Sequence, residues 1–173
     1  LEEATKTAYE LTQVKVKSDL NVLHEIFYLK GKPEIINGNL MLGSSYKVND
    51  NFEIVDNVHN LLGGAATIFQ KKGDQAIRIS TNVIGEDGKR AIGTPVSPAV
   101  YDVVINKGQT YYGTATVVGK KYITAYEPIK NAAGEIIGIL FVGVEDGSTI
   151  GILQDQIKSK KIGENGYVFV LDS

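Results

Sequence analysis

Five strand-like runs of apolar and polar residues lie between Gly63 and Asp146. Their β-branched and aromatic residues, and the turn residues that separate them, predict an antiparallel sheet. The last run is apolar at nearly every position, which predicts a central strand covered on both faces. The predicted strands are Ala66–Gln70, Gln75–Val83, Tyr111–Val118, Lys121–Lys130 and Glu135–Val144.

Two helices are predicted before the sheet. Residues 1–30 contain neither Gly nor Pro and hold apolar residues at helical spacing, which predicts one long helix. Residues 31–49 are expected to form a connector. A second helix follows, with Asp50 and Glu53 at the spacing of a capping box and Gly63 at its end.

A short third helix is predicted between the second and third strands. Ser97 is a good N-cap, Pro98 suits the first helical position, and Gly108 ends the helix. Helices followed by a small antiparallel sheet with one inserted helix indicate an α+β fold, not the alternating order of an α/β enzyme.

The chain is expected to divide into three parts. Residues 1–48 hold the long helix and the connector, and residues 49–146 form the core. Residues 147–173 are expected to hold a final helix over 147–161 and the start of a further module. Because the chain begins without Met and stops after a strand-like run, we interpret it as a fragment of a longer protein.

Composition narrows the possible functions. A length of 173 residues suits one domain, and a net charge of −2 without a basic block argues against nucleic acid as a partner. With no Cys and two His, neither a disulfide nor a metal site is expected. The sequence has no catalytic or nucleotide-binding motif, so we predict that the protein is not an enzyme and carries no cofactor.

The predicted strands divide into an apolar face and a polar face. On the second strand Ile77 and Ile79 share one face, while Arg78 and Ser80 share the other. The third and fourth strands show a similar division. The candidate ligand-binding residues are those on the polar face, with one tyrosine of the inserted helix: Arg78, Ser80, Tyr101, Tyr112, Tyr122, Thr124 and Tyr126.

Two interpretations of this polar face remain open. In the first, the face meets solvent. In the second, it forms a semi-enclosed pocket that the Ser97–Lys107 helix covers. Tyrosine provides apolar area with a polar tip, arginine a bidentate fork, and Ser or Thr a hydroxyl, which together suit a small organic anion with Arg78 as its counter-charge.

The segment Gly63–Asp146 resembles the Cache family of extracytoplasmic sensor domains, which have a PAS-like fold, and specifically the single-Cache type of chemoreceptors and sensor histidine kinases. The matching stretches cover about half of the chain in the expected order: Thr67–Gln70, Arg78–Asn82, Tyr111–Gly113, Tyr122–Ile129 and Gly138–Val144. Gly166–Asp172 resembles the opening of a further Cache module.

The resemblance implies a long N-terminal helix packed on a five-stranded antiparallel sheet, with a ligand bound over the other sheet face. It matches Arg78 to the anion-holding residue, Tyr122 and Tyr126 to pocket aromatics, and Ser80 and Thr124 to hydroxyl contacts. Amino-acid-binding members combine aromatic residues, including Trp, with an Arg and a late Asp. This chain has no Trp, so a simple carboxylate is the expected ligand.

The leading hypothesis is an extracytoplasmic ligand-sensing domain of a membrane-anchored receptor, either a chemoreceptor or a sensor histidine kinase. The alternative is a ligand-free structural or protein-interaction module of the same kind of receptor. An apolar stripe on the long helix also suggests a homodimer formed through that helix.

Overall fold

The computed structural model describes residues 2–117 and 120–145. Every helix and strand predicted up to residue 145 is present, with ends within two residues of the prediction. The elements in chain order are α1 (Glu2–Leu29), β1 (Pro33–Ile36), β2 (Asn39–Leu42), β3 (Tyr46–Lys47), α2 (Glu53–Leu62), β4 (Ala65–Lys72), β5 (Gln75–Thr81), α3 (Pro98–Tyr101) with the π-helical turn Asp102–Asn106, β6 (Tyr111–Val117), β7 (Lys120–Lys130) and β8 (Ile136–Glu145). The predicted helix over 147–161 and the strand after it lie outside the described residues.

Residues 15–145 form one compact unit around a five-stranded antiparallel sheet. The strand order is β5-β4-β8-β7-β6, so the strongly apolar β8 is central, as predicted. Leu140 and Phe141, adjacent on β8, are both buried and belong to the cores on opposite sides of the sheet. The sheet therefore separates two apolar layers.

The first layer lies between the sheet and helices α1 and α2. The apolar residues of α1 after residue 15 recur every three or four positions, which puts them on one helical face. That face is buried, which confirms that the long helix packs on the sheet. Its core includes Val16, Leu20, Leu23 and Phe27 of α1, Ile54, Val55 and Val58 of α2, and Ile68, Ile123, Leu140 and Val142 of the sheet.

The second layer lies between the opposite sheet face and a cover formed by α3, the π-helical turn and residues 82–97. The Ser97 side chain accepts a hydrogen bond from the Val100 backbone N–H, which confirms the predicted N-cap. The buried members of this layer are Phe69, Ala76, Val83, Val96, Val100, Val104, Ile105, Tyr126, Ile139 and Phe141.

The expected connector of residues 31–49 is instead a three-stranded antiparallel sheet of β1, β2 and β3. Asn37 and Gly38 turn between β1 and β2 with φ of 53° and 81°. Positive φ at both central residues is the type I′ hairpin geometry that Asn-Gly favours, so the signal for this hairpin was present in the sequence. Leu40 and Leu42 of β2 are buried in the first layer, and this burial stabilises the short sheet.

The predicted capping box of α2 is wrong. Asp50 adopts a φ of 59°, outside the extended conformation of an N-cap, and the N-cap residue is Phe52. The Glu53 N–H donates to the Asn51 side-chain oxygen instead, at 3.2 Å. The predicted end is correct, because Gly63 closes the helix in the left-handed conformation and donates its N–H to the His59 carbonyl.

Within the described ranges no helix combines the length and the apolarity that crossing a membrane requires.

Candidate ligand-binding site

Arg78 places a positive charge in the second layer, as the sequence predicted. It lies on β5 opposite Phe69 of β4, and its guanidinium carbon is 4.9 Å from the centroid of the Phe69 ring. Its Nη1 donates to the Thr94 hydroxyl at 2.7 Å. This contact lies at the protein surface, whereas Arg78 Nε is buried.

The electrostatics of Arg78 are those of an incompletely compensated cation. Burial lowers its pKa, and the interaction with the Tyr126 hydroxyl raises the pKa by a smaller amount. No carboxylate within the described residues forms an ion pair with Arg78. Its buried Nε has no hydrogen-bond partner there either, although most buried donors in proteins are satisfied.

Tyr126 of β7 is the centre of an aromatic cluster. Its ring centroid is 4.8 Å from that of Phe141, 5.8 Å from that of Tyr111 and 6.5 Å from that of Phe69. Burial raises the pKa of Tyr126, while Arg78 and, more weakly, the Thr124 hydroxyl lower the pKa. Both Arg78 and Thr124 therefore act on the electrostatics of the Tyr126 hydroxyl.

Thr124 is the second incompletely satisfied group. The residue is 1% exposed, and its Oγ1 forms no hydrogen bond of normal geometry, although it acts on the pKa of Tyr126. On both neighbouring strands the residue paired with Thr124 is a glycine, Gly113 or Gly143. A Cβ on Gly113 would lie 2.8 Å from Cε1 of Tyr111, so the absence of a side chain leaves room for that ring.

The prediction that Ser80 shares a face with Arg78 is wrong. The pairing of β4 with β5 shifts by one residue, so that Phe69 pairs with Arg78 and Ile68 pairs with Ser80. This β-bulge places Ile79 between the two and reverses the alternation that the sequence suggested. The Ser80 hydroxyl donates to the carbonyl of Asn51 at 2.6 Å. Asn51 comes two residues before the start of α2 in the chain.

Tyr112 also lies on the other face of the sheet. It pairs with Ala125, which belongs to the first layer, and Lys17 of α1 lies with its Nζ 5.3 Å from the centroid of the Tyr112 ring. Its neighbour Tyr111 faces the second layer in its place. The alternation of β6 alone does not decide between the two tyrosines. Only the pairing of Tyr111 with Tyr126 does so.

Tyr101 and Tyr122 lie at the margins of the site. Tyr101 of α3 is half-buried against the apolar residues of the second layer. Tyr122 lines a separate cleft of about 310 Å³ at the end of α2, together with His59, Asn82, Lys120 and Glu145. The structure thus brings together Arg78, Thr124 and Tyr126 from the predicted set, and adds Tyr111, Phe69 and Thr94.

The arrangement suits binding. Among residues 2–117 and 120–145 no three His, Asp or Glu side chains are grouped so as to hold a metal ion. Among the described residues, the buried side-chain atoms without a hydrogen bond of normal geometry are Arg78 Nε and Thr124 Oγ1. The Arg78 guanidinium lies over the Phe69 ring, and the Thr124 hydroxyl acts on Tyr126. These are groups that recognise an anion with an apolar part.

The sequence matches the protein-family model for the "Cache 3/Cache 2 fusion domain" over residues 1–173. Curated protein sequences give no match.

Three solved structures resemble the fold. The sensor domain of E. coli DcuS has 13% sequence identity and a TM-score of 0.52, with 82% of this chain and 99% of that chain covered. The GAF domain of A. aeolicus nlh2 in an inactive state has 14% identity and a TM-score of 0.45, with 84% and 90% covered. The ligand-binding domain of the Campylobacter jejuni chemoreceptor Tlp3, in complex with L-valine, has 15% identity and a TM-score of 0.39, with 83% and 53% covered. At these identities the similarity to the DcuS domain shows a shared fold.

Proposed function

Because this chain belongs to the Cache 3/Cache 2 fusion domain family, we propose that it is the ligand-sensing domain of a transmembrane receptor and that it binds a small organic carboxylate at Arg78. The observation that carries the proposal is the buried, unpartnered Nε of a cation that has no ion-pair partner within the described residues.

Desolvation of a guanidinium is costly unless its charge and its donors are compensated. The ring of Phe69 and the hydroxyl of Thr94 offset part of this cost. A bound carboxylate offsets the remainder, because charge-assisted hydrogen bonds are about twice as strong as neutral ones. Arg78 is therefore better satisfied with an anion than without one.

The geometry of the guanidinium also supports one particular mode of binding. Thr94 accepts from Nη1, so the edge of the fork that carries Nε and Nη2 has no partner among the described residues. Two parallel N–H groups on one edge match the two oxygens of a carboxylate. We therefore expect the two carboxylate oxygens to accept from Nε and Nη2 of Arg78. The rest of the ligand would pack against Tyr126, and any hydroxyl group of the ligand would point toward Thr124.

Strand β7 connects this site with helix α1. Tyr126 faces the site, and the next residue, Glu127, faces the other layer, where it forms a hydrogen bond with His24 of α1. A ligand that favours one position of β7 therefore also favours one position of α1. The difference in its affinity for the two arrangements limits how far the equilibrium shifts.

Two further proposals concern the location of the domain, which family membership supports, and its self-association, which exposed residues support. The domain is extracytoplasmic, and the full-length receptor is membrane-anchored. The domain also self-associates through α1, where the side chains of Leu11 and Val14 are 64% and 63% exposed. Large exposed apolar residues three positions apart lie on one side of a helix and favour association.

The alternative function, a ligand-free structural or interaction module, has one observation in its favour. Val96, Val100 and Val104 pack directly into the second layer, so apolar side chains occupy much of the space over the sheet. In that case Arg78 contributes only to the attachment of residues 82–97.

A thermal-shift comparison of acids with their amides separates the two functions. Acetate, succinate and benzoate are tested beside acetamide, succinamide and benzamide. A carboxylate at 100 times its Kd stabilises the fold by about 2.7 kcal/mol, which raises Tm by several degrees. Equal shifts from acid and amide argue against a role for the charge of Arg78. The absence of any shift favours the alternative function.

A further inference from the structure

Residues 82–97, here called the strap segment, run along the free edge of β5. The Arg78 N–H donates to the Thr94 carbonyl at 2.9 Å, and the Gly93 N–H donates to the Arg78 carbonyl at 2.9 Å. Further along, the Val96 N–H donates to the Ala76 carbonyl at 2.8 Å. The strap segment therefore covers an edge strand, and it brings Thr94 beside the Arg78 side chain.

The hydroxyl of Thr94 has one orientation in this arrangement. Its single hydrogen is donated to the Ala91 carbonyl at 2.9 Å. A lone pair of the oxygen then faces Arg78 Nη1, which donates to it at 2.7 Å. The position of the Arg78 fork thus depends on the position of the backbone at Ala91.

The residue before Ala91 is fixed on α2. Arg90 Nη1 and Nη2 donate to the two carboxylate oxygens of Asp56 at 2.8 Å and 2.9 Å, and Nη1 also donates to the Thr81 carbonyl at 3.0 Å. The Arg90 guanidinium carbon is 4.1 Å from the centroid of the Phe52 ring. A bidentate, stacked arginine defines a position more sharply than a lysine does.

We propose that Arg90 and Asp56 are positioning residues for the anion site, because they hold the strap segment where Thr94 fixes the fork of Arg78. The proposal rests on the function assigned to Arg78 above. The path runs from Asp56 through Arg90 and the Ala91 carbonyl to the Thr94 hydroxyl and Arg78, and each step is a hydrogen bond or a peptide linkage.

The ion pair itself contributes little to global stability. The side chains of Arg90 and Asp56 are 31% and 43% exposed, and exposed ion pairs have small effects on unfolding. Its loss should therefore release the strap segment locally and leave the rest of the fold intact.

Four variants of the 173-residue chain test the inference: Arg90→Gln, Asp56→Asn, their double variant, and the control Lys89→Gln. The control removes the same charge one residue earlier, at an exposed side chain for which the structure gives no ion pair. Hydrogen exchange over residues 84–97 reports the strap segment. Phenylglyoxal labelling, followed by mass spectrometry of peptides, reports the exposure of the Arg78 fork.

We expect Arg90→Gln and Asp56→Asn each to speed exchange in the strap segment and labelling of Arg78 by about five- to tenfold. The double variant should show no larger effect than either single variant, because the two residues act as one pair. Lys89→Gln should behave as the parent. Parent-like exchange and labelling in Arg90→Gln, or equal effects of Lys89→Gln, would overturn the inference.

Calorimetry with acetate and succinate separates this result from that of the proposed function. If the parent binds either acid, Arg90→Gln should weaken binding by about tenfold with a Tm within a few degrees of the parent, and unchanged affinity would contradict the inference. If the parent binds neither, the proposed function fails for these acids. Faster exchange and labelling in Arg90→Gln then still support control of Arg78 by the pair, and parent-like rates overturn it.

Discussion

Arg78 of β5 lies directly opposite Phe69 of β4, and its guanidinium carbon is 4.9 Å from the centroid of the Phe69 ring. The ring shields one face of the guanidinium, and Thr94 accepts from one corner of it. The edge that carries the buried Nε has no partner among the described residues. The proposed contact with a planar anion rests on this shielding by the ring and on the buried Nε that lacks a partner.

The first prediction concerns Arg78. Arg78→Lys should weaken carboxylate binding, because a point charge does not reproduce two parallel donors. Arg78→Ala should weaken it further, by about 2–5 kcal/mol if the pair is desolvated. Calorimetry on the parent and both variants measures this, with any carboxylate that the thermal comparison identifies.

Without ligand, Arg78→Ala should fold with a Tm equal to or above that of the parent, since it removes a cation whose burial is incompletely compensated. Equal affinities in all three proteins would show that Arg78 does not hold the anion. Loss of folding in Arg78→Ala would instead assign it a structural role.

The second prediction concerns the buried hydroxyl of Thr124. Thr124→Val preserves the shape of the side chain and removes a buried oxygen that forms no hydrogen bond of normal geometry, so the ligand-free protein should gain about 1 kcal/mol in unfolding free energy. A ligand that uses the hydroxyl should bind the variant more weakly. Denaturant unfolding without ligand measures the first effect, and destabilisation would show that a partner satisfies the oxygen.

The third prediction concerns the central strand. Phe141 is 1% exposed and contacts Tyr126, so Phe141→Ala should cost about 3–5 kcal/mol. Leu140→Ala, on the opposite face, should cost about 2–5 kcal/mol. Denaturant midpoints measure both. A Phe141→Ala protein that melts close to the parent would contradict the central position of β8.

Much of the fold follows from the sequence alone, because the strands and the long helix have strong periodicity. The position of Arg78 follows as well, since it precedes the bulge on β5. Ser80 does not, because an extra residue in one strand depends on how its partner strand pairs. Choosing Tyr111 over Tyr112 likewise requires the register with β7.

Other features have no periodic signal at all. Thr94 reaches Arg78 from an irregular segment, and its role depends on tertiary contacts of Ala91 and Arg90. The hairpin at Asn37-Gly38 is different, because its turn signal is visible in the sequence. Long-range contacts of irregular segments are thus the part of the site that sequence patterns do not predict.

The fourth prediction concerns alkaline pH. Burial raises the pKa of Tyr126 above the usual value of about 10, so the folded protein keeps this group neutral where the unfolded chain ionises it. Its contribution to stability is complete below pH 10 and is lost as the pH rises through the folded-state pKa. The stability of the parent relative to Tyr126→Phe should therefore fall above about pH 10.

Thermal unfolding from pH 7 to 11.5 measures this difference. Absorbance titration identifies the tyrosine signal, because the chain has nine Tyr and no Trp. Tyr112→Phe is the control, since it removes an exposed tyrosine from the other sheet face. Parallel curves for the parent and Tyr126→Phe over the whole range would exclude a raised pKa at Tyr126.

The last prediction concerns self-association through α1. Leu11 and Val14 are 64% and 63% exposed and lie three residues apart, on one side of the helix. If they form a contact between two copies of the chain, Leu11→Glu and Val14→Glu should each weaken association by at least about tenfold, because a charge is then buried in an apolar interface. Leu61→Glu is the matched control, since Leu61 is also 63% exposed but lies on α2.

Sedimentation velocity over a concentration series measures association. Two α1 variants that sediment as the parent does, or a Leu61→Glu protein that dissociates equally, would place the contact elsewhere.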